Sequence, residues 1–548
     1  MKRAVCLVLA FLGVLCGTVV NPAVAAPAVT YLYPAGAQRG TTAEVVAGGT
    51  FDAWPMKVWA SGKGVFVAAG KDKGKLSVEV AADATPGVYW LRAYTDDGAS
   101  ALRPFVVGTL PEVAEKEPND EPAKPQVIDA AAVVVNGQLA KAGDVDCFAV
   151  ALRKGQTLVA SLDAHHTFRS PMDAVLQLVS ADGFVVAENH DFRGLDPHLA
   201  FTAPADGTYV ARVFAFPAMP DTTVRLAGGD AYVYRLTLTT GGFADHALPL
   251  AVSRAEPGTV EVVGWNVPAA ALKLSVPPSP AGESGIDVNA PGIANPFHVR
   301  LEPHPTWNAT AAVKRGEPYP PPFSITGRLA KPGATDSYPI AGKKGQALAV
   351  QVQGRAFGLP TVPVVRVLDA AGKALARAEP APLMGDVVLA FAPPADGTYA
   401  VEVGDLFGDG GPRHAYLLRV TTPFPDFTAT VAADRFAVPP GKTLDIPVKV
   451  VQLGALKMPV EVVAEGLPAG VTWAVKPPAE KADPNTVTIT LTGGKAGASG
   501  PFRLVGRVKG DPTLARPARA PLADFEETTT DLWVTVGDAP ATPPPKKK

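Results

Sequence analysis

Cysteine is nearly absent from the chain: its 548 residues hold three, Cys6, Cys16 and Cys147. The first two lie in a stretch with the marks of an export signal. Lys2 and Arg3 precede an uncharged run from Ala4 to Val20, and Ala23-Val24-Ala25 offers the small residues of a cleavage site. With residues 1–25 removed, one cysteine remains and no disulfide can form within the chain, although export would permit one. Stability therefore has to come from burial in several cores. Cys147, in Asp146-Cys147-Phe148-Ala149-Val150, is placed as a strand residue rather than a nucleophile.

Other absences narrow the function. Ala4 to Val20 is shorter than the ~20 apolar residues of a membrane-spanning helix. No transmembrane segment is expected in the mature chain, and Leu15 before Cys16 argues against lipid attachment. Lys and Arg number 50 against 52 Asp and Glu, so the basic footprint of a nucleic-acid binder is missing. Convincing helical periodicity is missing outside the leader. The motifs H-E-x-x-H, G-x-S-x-G and C-x-x-C do not occur, which leaves no recognised catalytic signature. The expectation is a protein that is not an enzyme.

Glycine (53) and proline (56) are plentiful instead. Both break helices and serve turns and strand ends, so the composition favours many short strands. Self-comparison shows a repeat. Pro204-Ala205-Asp206-Gly207-Thr208-Tyr209 returns unchanged as Pro394-Ala395-Asp396-Gly397-Thr398-Tyr399, an offset of 190 residues. The same offset relates Gly137 to Gly327, Asp146 to Asp336, and Lys154-Gly155-Gln156 to Lys344-Gly345-Gln346. Short alternating runs such as Thr208–Val213 and a turn at Asp182-Gly183 predict antiparallel sandwiches.

The fold class expected is all-β: a tandem array of antiparallel β-sandwich domains of jelly-roll and immunoglobulin-like type. The expected divisions are a leader at 1–25, a small β domain at 27–108, a first sandwich at 112–241 and a small β domain at 243–313. A second sandwich at 314–422, an immunoglobulin-like domain at 425–537 and a disordered Pro/Lys tail at 538–548 complete the order.

The repeated module carries Glu117-Pro118-Asn119-Asp120, Gly137, Asp144-Val145-Asp146-Cys147-Phe148, Lys154-Gly155-Gln156 and Pro204–Tyr209. In that order these resemble the bacterial pre-peptidase C-terminal domain. The resemblance implies a β-sandwich, calcium-binding in some members and commonly attached to secreted peptidases or other exported proteins. The second copy departs from it, with Glu317-Pro318-Tyr319-Pro320 at its start and Ala334 in place of Asp144. The small domains resemble the IPT/TIG type and the last region resembles immunoglobulin-like domains, which leaves no stretch of the chain for a peptidase.

Clustered turn carboxylates suit the six to eight oxygen ligands of Ca²⁺. One candidate set is Glu117, Asn119, Asp120, Asp144 and Asp146; a second is Asp405 and Asp409 in a glycine-rich loop, where plain turn chemistry is the competing account. His165, His166, Asp163, Asp173, His190 and Asp191 form a weaker set for a metal or a hydrolytic relay, against which stands the ordinary surface role of loop histidines. Trp54, Trp59, Trp90 and Trp265 could be a carbohydrate platform or core packing. The expected function is an exported, non-catalytic binding protein of the envelope or extracellular space, periplasmic, surface-bound or released. A polysaccharide or an exported protein is the expected partner. A spacer without ligand and a cryptic hydrolase are the alternatives.

Overall fold

The computed structural model describes residues 26–537 apart from 221, 223, 280–283, 310–316, 382–384, 455, 457, 482 and 526. The expected leader and tail lie outside the described residues. The chain is all-β. Among the described residues, helix is confined to one turn at His165–Phe168 and two 3₁₀ turns at Ala269–Ala271 and Arg355–Phe357. None of these is long or apolar enough to cross a membrane. Strand burial follows the pleat: in Thr443–Leu453, Ile446, Val448 and Val450 point inward while Asp445, Pro447 and Lys449 alternate outward.

Among the described residues, ten principal sheets pair into five sandwiches, each with its own apolar core. The first sandwich copy stacks two five-stranded sheets. One runs in the order Glu112–Ala114, Ala132–Gln138, Val233–Thr239, Thr157–Asp163, His198–Thr202. The other runs Gln126–Val127, Asp146–Leu152, Gly207–Pro217, Met172–Val179, Val185–Asn189. The second copy repeats this order, with Gln126–Val127 reduced to a single bridge between Tyr319 and Ile340. Even the register repeats at 190: Asp146 faces Val213 and Leu152 faces Gly207, as Asp336 faces Val403 and Gly342 faces Gly397.

Two details differ from the sequence reading. The sheets are not purely antiparallel, because short edge strands such as Glu112–Ala114 and Thr306–Asn308 join in parallel. Thr306–Asn308 pairs with Ser324–Thr326 of the second copy. That segment therefore belongs to the second sandwich, and the small domain ends before residue 306 rather than at 313.

Contacts between the pieces of the repeated motif explain why they recur together. Asp206 Oδ1 accepts the Lys154 N–H at 2.6 Å, and Asp396 Oδ1 accepts the Lys344 N–H at 2.7 Å. Gly155 and Gly345 take positive φ in those turns (80° and 72°), where a side chain would be strained. Tyr209 and Tyr399 donate their hydroxyls to Ala205 O and Ala395 O. Gly137 lies opposite Tyr234 and Gly327 opposite Tyr416, with the phenol end of each ring packed against the glycine. The repeat is a folding unit: a turn, its carboxylate cap and a ring packed against glycine.

Candidate metal centre

Strand Asp146–Leu152 begins beneath the loop that carries Glu117 to Asp120, and a backbone bond from Cys147 N–H to Asn119 O (3.1 Å) ties the two. Glu117, Asn119, Asp120, Asp144 and Asp146 are thereby drawn into one neighbourhood. Asn119 N–H donates to Glu117 Oε2 at 3.1 Å. The Asn119 side chain is 1% exposed, and neither its Oδ1 nor its Nδ2 has a hydrogen-bond partner. Buried amides left unpaired in this way are costly.

The two aspartates play different parts. Asp144 Oδ2 accepts the Ala140 N–H at 2.6 Å, capping the turn, while its Oδ1 lies 3.5 Å from Lys141 Nζ. The same ammonium stands 3.8 Å from Asp120 Oδ1. Asp146 Oδ2 accepts the Tyr234 hydroxyl at 2.6 Å. Beside it lies Glu115, a residue the sequence did not single out. Burial, reinforced by the Asp146 charge, raises the Glu115 carboxyl; burial likewise raises Asp146, against the pull of the Tyr234 hydroxyl. Two adjoining buried carboxyls hold a proton between them more readily than two charges. Tyr33, from the first domain, reaches Glu115 Oε1 (3.5 Å) and Asn136 O (3.3 Å).

The donors are all oxygens, as a hard cation requires, and the Asn119 amide oxygen is buried among them without a hydrogen-bond partner. As it stands, however, no group of three or more His, Cys, Asp or Glu among the described residues is arranged around one point. Lys141 holds the gap between Asp120 and Asp144. In the second candidate loop Asp405 Oδ1 accepts Phe407 N–H (2.9 Å) and Asp409 N–H (3.2 Å), its Oδ2 accepts Val362 N–H (2.8 Å), and Asp409 is exposed.

In the second copy Asp336 keeps the tyrosine bond, 2.6 Å from the Tyr416 hydroxyl, which also meets the Tyr338 hydroxyl at 2.8 Å. Tyr338 stands where the first copy has Phe148. A neutral hydroxyl replaces the crowded carboxylates.

The histidine set mixes half-buried residues (Asp163, His165, Asp173) with exposed ones (His166, His190, Asp191). The half-buried His165 ring contacts Ser170 O (3.1 Å), and the exposed His190 pairs with the exposed Asp191 at 3.1 Å. Asp163 accepts the Thr167 hydroxyl at 3.3 Å. The carboxylate that organises this turn is Asp196, which accepts the N–H groups of Ala164, His165 and His166 at 2.7–3.0 Å. Asp173 is raised by burial and by Asp191, and lowered by His190 and His165.

A buried histidine outside that set, His198, sits at the junction of the first sandwich with the small domain. It is 6% exposed, stacks on Phe192 (4.5 Å between ring centres) and packs against Trp265 and Phe243. Burial, chiefly, drives its imidazole down to about 4. Arg413 of the second sandwich lies 4.0 Å from the Phe192 ring centre and binds Asp245 at 2.8 and 3.0 Å. Trp265 is thus committed to a junction. Trp54 is committed to its own domain, through Phe51 and a bond from its Nε1–H to Gly70 O.

No protein-family model matches the chain. A probable subtilase-type serine protease of Deinococcus radiodurans is 30% identical over 237 residues, 42% of this chain; the chain spans about a quarter (26%) of that relative's length. Among solved structures, SGBP-B of the Bacteroides ovatus mixed-linkage glucan utilization locus, in complex with a mixed-linkage heptasaccharide, is 8% identical. It covers 71% of this chain and 74% of its own, with a TM-score of 0.14. The M60 catalytic domain of Clostridium perfringens ZmpB with its CBM51-1 and CBM51-2 domains is also 8% identical, covering 72% and 55%, with a TM-score of 0.13. Scores at that level carry no argument about this chain.

Proposed function

We propose that the protein is an exported, non-catalytic binding protein in which pre-peptidase C-terminal-like sandwiches, set between small β domains, present a polysaccharide-binding surface. The observation that carries this reading is the unequal pair of sandwiches: one scaffold used twice, with an acidic loop cluster only in the first. The likeness to a stretch of a subtilase-type protease supports the link to exported, protease-associated modules. Screening the full chain against a glycan and envelope-polymer array tests it, and a blank array overturns it.

The acidic cluster of the first copy is the calcium site of this reading. Asp120, Asp144 and Asn119 would supply oxygens once the Lys141 ammonium swings away, with Glu117 and Asp146 beside them. A bound Ca²⁺ would tie the 117–120 loop to the start of strand Asp146–Leu152. The spacer alternative is disfavoured by one feature: the first and last domains pack against each other, which an extended rod does not do.

A further inference from the structure

The outward face of the first domain breaks the usual rule for a sandwich. In strand Gly87–Thr95, Tyr89, Leu91 and Ala93 enter the core, so Trp90, Arg92 and Tyr94 share the opposite face. Strand Lys57–Ala60 pairs alongside, setting Trp59 opposite Arg92 and Lys57 opposite Tyr94. Three large aromatics and two cations thus line a face where alternation calls for small polar residues. Trp, Tyr and Arg are the residues enriched where proteins bind.

The last domain covers this face with matching chemistry. Trp533 lies 4.8 Å from Tyr94 and 6.1 Å from Trp59, ring centre to ring centre, and is 2% exposed. Phe525 meets Trp90 edge-on at 5.0 Å. Two carboxylates accompany the rings: Asp434 Oδ2 is 2.7 Å from Arg92 Nη2, and Asp524 Oδ2 is 2.7 Å from Arg103 Nη2. Arg92 is fully buried, donates a second bond to Ser100 O, and leaves its Nε unpaired.

We propose that this face of the first domain is a further polysaccharide site, apart from the sandwich surface proposed above and selective for acidic sugars, and that the last domain is an intramolecular cap which occupies it by imitating the ligand. The proposal rests on the polysaccharide reading above. The flat C–H face of a pyranose packs on indole as the cap rings do, and a uronate carboxylate pairs with a guanidinium as Asp434 and Asp524 do. The cap is releasable because of how it is held. A buried ion pair roughly breaks even once desolvation is counted, so a ligand bringing its own carboxylate exchanges like for like. The connector at 422–425 is irregular, and its residues 423–425 are exposed, which lets the domain move without unfolding.

The test uses the full chain with Asp434→Arg, and Asp434→Asn as the gentler variant should the reversal impair folding. Small-angle scattering reads closure, and titration with polygalacturonic acid against neutral dextran reads binding. The expected result is expansion of at least one variant. Its affinity for polygalacturonic acid should rise at least about tenfold over the native chain, without a rise for dextran, and adding Trp59→Ala should abolish the gain. If neither variant expands, or if an expanded variant gains no affinity, the cap proposal is overturned. A native chain that binds glycans on the array while the expanded variants gain nothing overturns the cap alone. A blank from every form overturns the polysaccharide reading with it.

Discussion

Asp146 and Asp336 occupy one position in two copies of one sandwich, and the protein surrounds them differently. Both accept a tyrosine hydroxyl at 2.6 Å. Around Asp146 stand Glu115, Asp144 and Glu117, with Tyr33 of the neighbouring domain within reach of Glu115. Around Asp336 stands the Tyr338 hydroxyl, and Ala334 replaces Asp144. The tyrosine–aspartate bond is therefore scaffold, and the extra carboxylates are the addition that only one copy carries. The outer sheet faces differ in the same way. His198 is buried under the small domain, whereas its register equivalent Val388 is 64% exposed.

The largest expected effect should be equal in the two copies. Gly137→Ala drives a Cβ to 2.0 Å from the Tyr234 ring, and Gly327→Ala to 2.3 Å from that of Tyr416. Each should cost about 3 kcal/mol in denaturant unfolding. A large loss in one copy alone would break the claim of a shared scaffold.

His198 should act only in the first copy. Its folded value, about 4 against an ordinary 6.5, is depressed, so the unfolded chain binds the extra proton between those values. The stabilising neutral form is fully present above about pH 6.5 and is lost as pH falls toward 4, worth about 3 kcal/mol. Stability measured across that window should fall more steeply for the native chain than for His198→Gln; parallel curves would contradict this.

Tyrosine deletion should separate the copies. Tyr234→Phe leaves the buried Asp146 with only the crowded Glu115 carboxyl for a side-chain partner, at about 2 kcal/mol. Tyr416→Phe should cost about 1 kcal/mol, because the Tyr338 hydroxyl is close enough to turn to the half-buried Asp336. Equal losses would mean that the crowded carboxylates of the first copy do not matter. The smallest effect belongs to the exposed turn caps: Asp206→Ala and Asp396→Ala should each cost about 0.5 kcal/mol, with the same value in both.

The all-β class and the repeat were legible because alternation and turn residues are local signals. The Pro204–Tyr209 motif announced its own turn, whereas Asp405, read as a candidate calcium ligand with turn chemistry as the competing account, accepts three backbone N–H groups. The partners of the acidic cluster were not legible. Tyr33 lies 82 residues from Glu115, and Tyr234 lies 88 from Asp146, distances at which no pattern in the chain signals contact. Lys141 was equally hidden, since its role depends on where the 117–120 loop lands. The tryptophans show the same limit. The sequence left Trp59 and Trp90 between core packing and a carbohydrate platform, and nothing local in it could say that a domain more than 300 residues away covers them.

Calcium titration of the full chain by calorimetry, beside Asp144→Ala, tests the inequality of the two copies most directly, because that substitution gives the first copy the residue of the second. The expected result is one site per chain, abolished in the variant. Two sites, or one that survives Asp144→Ala, would contradict the account.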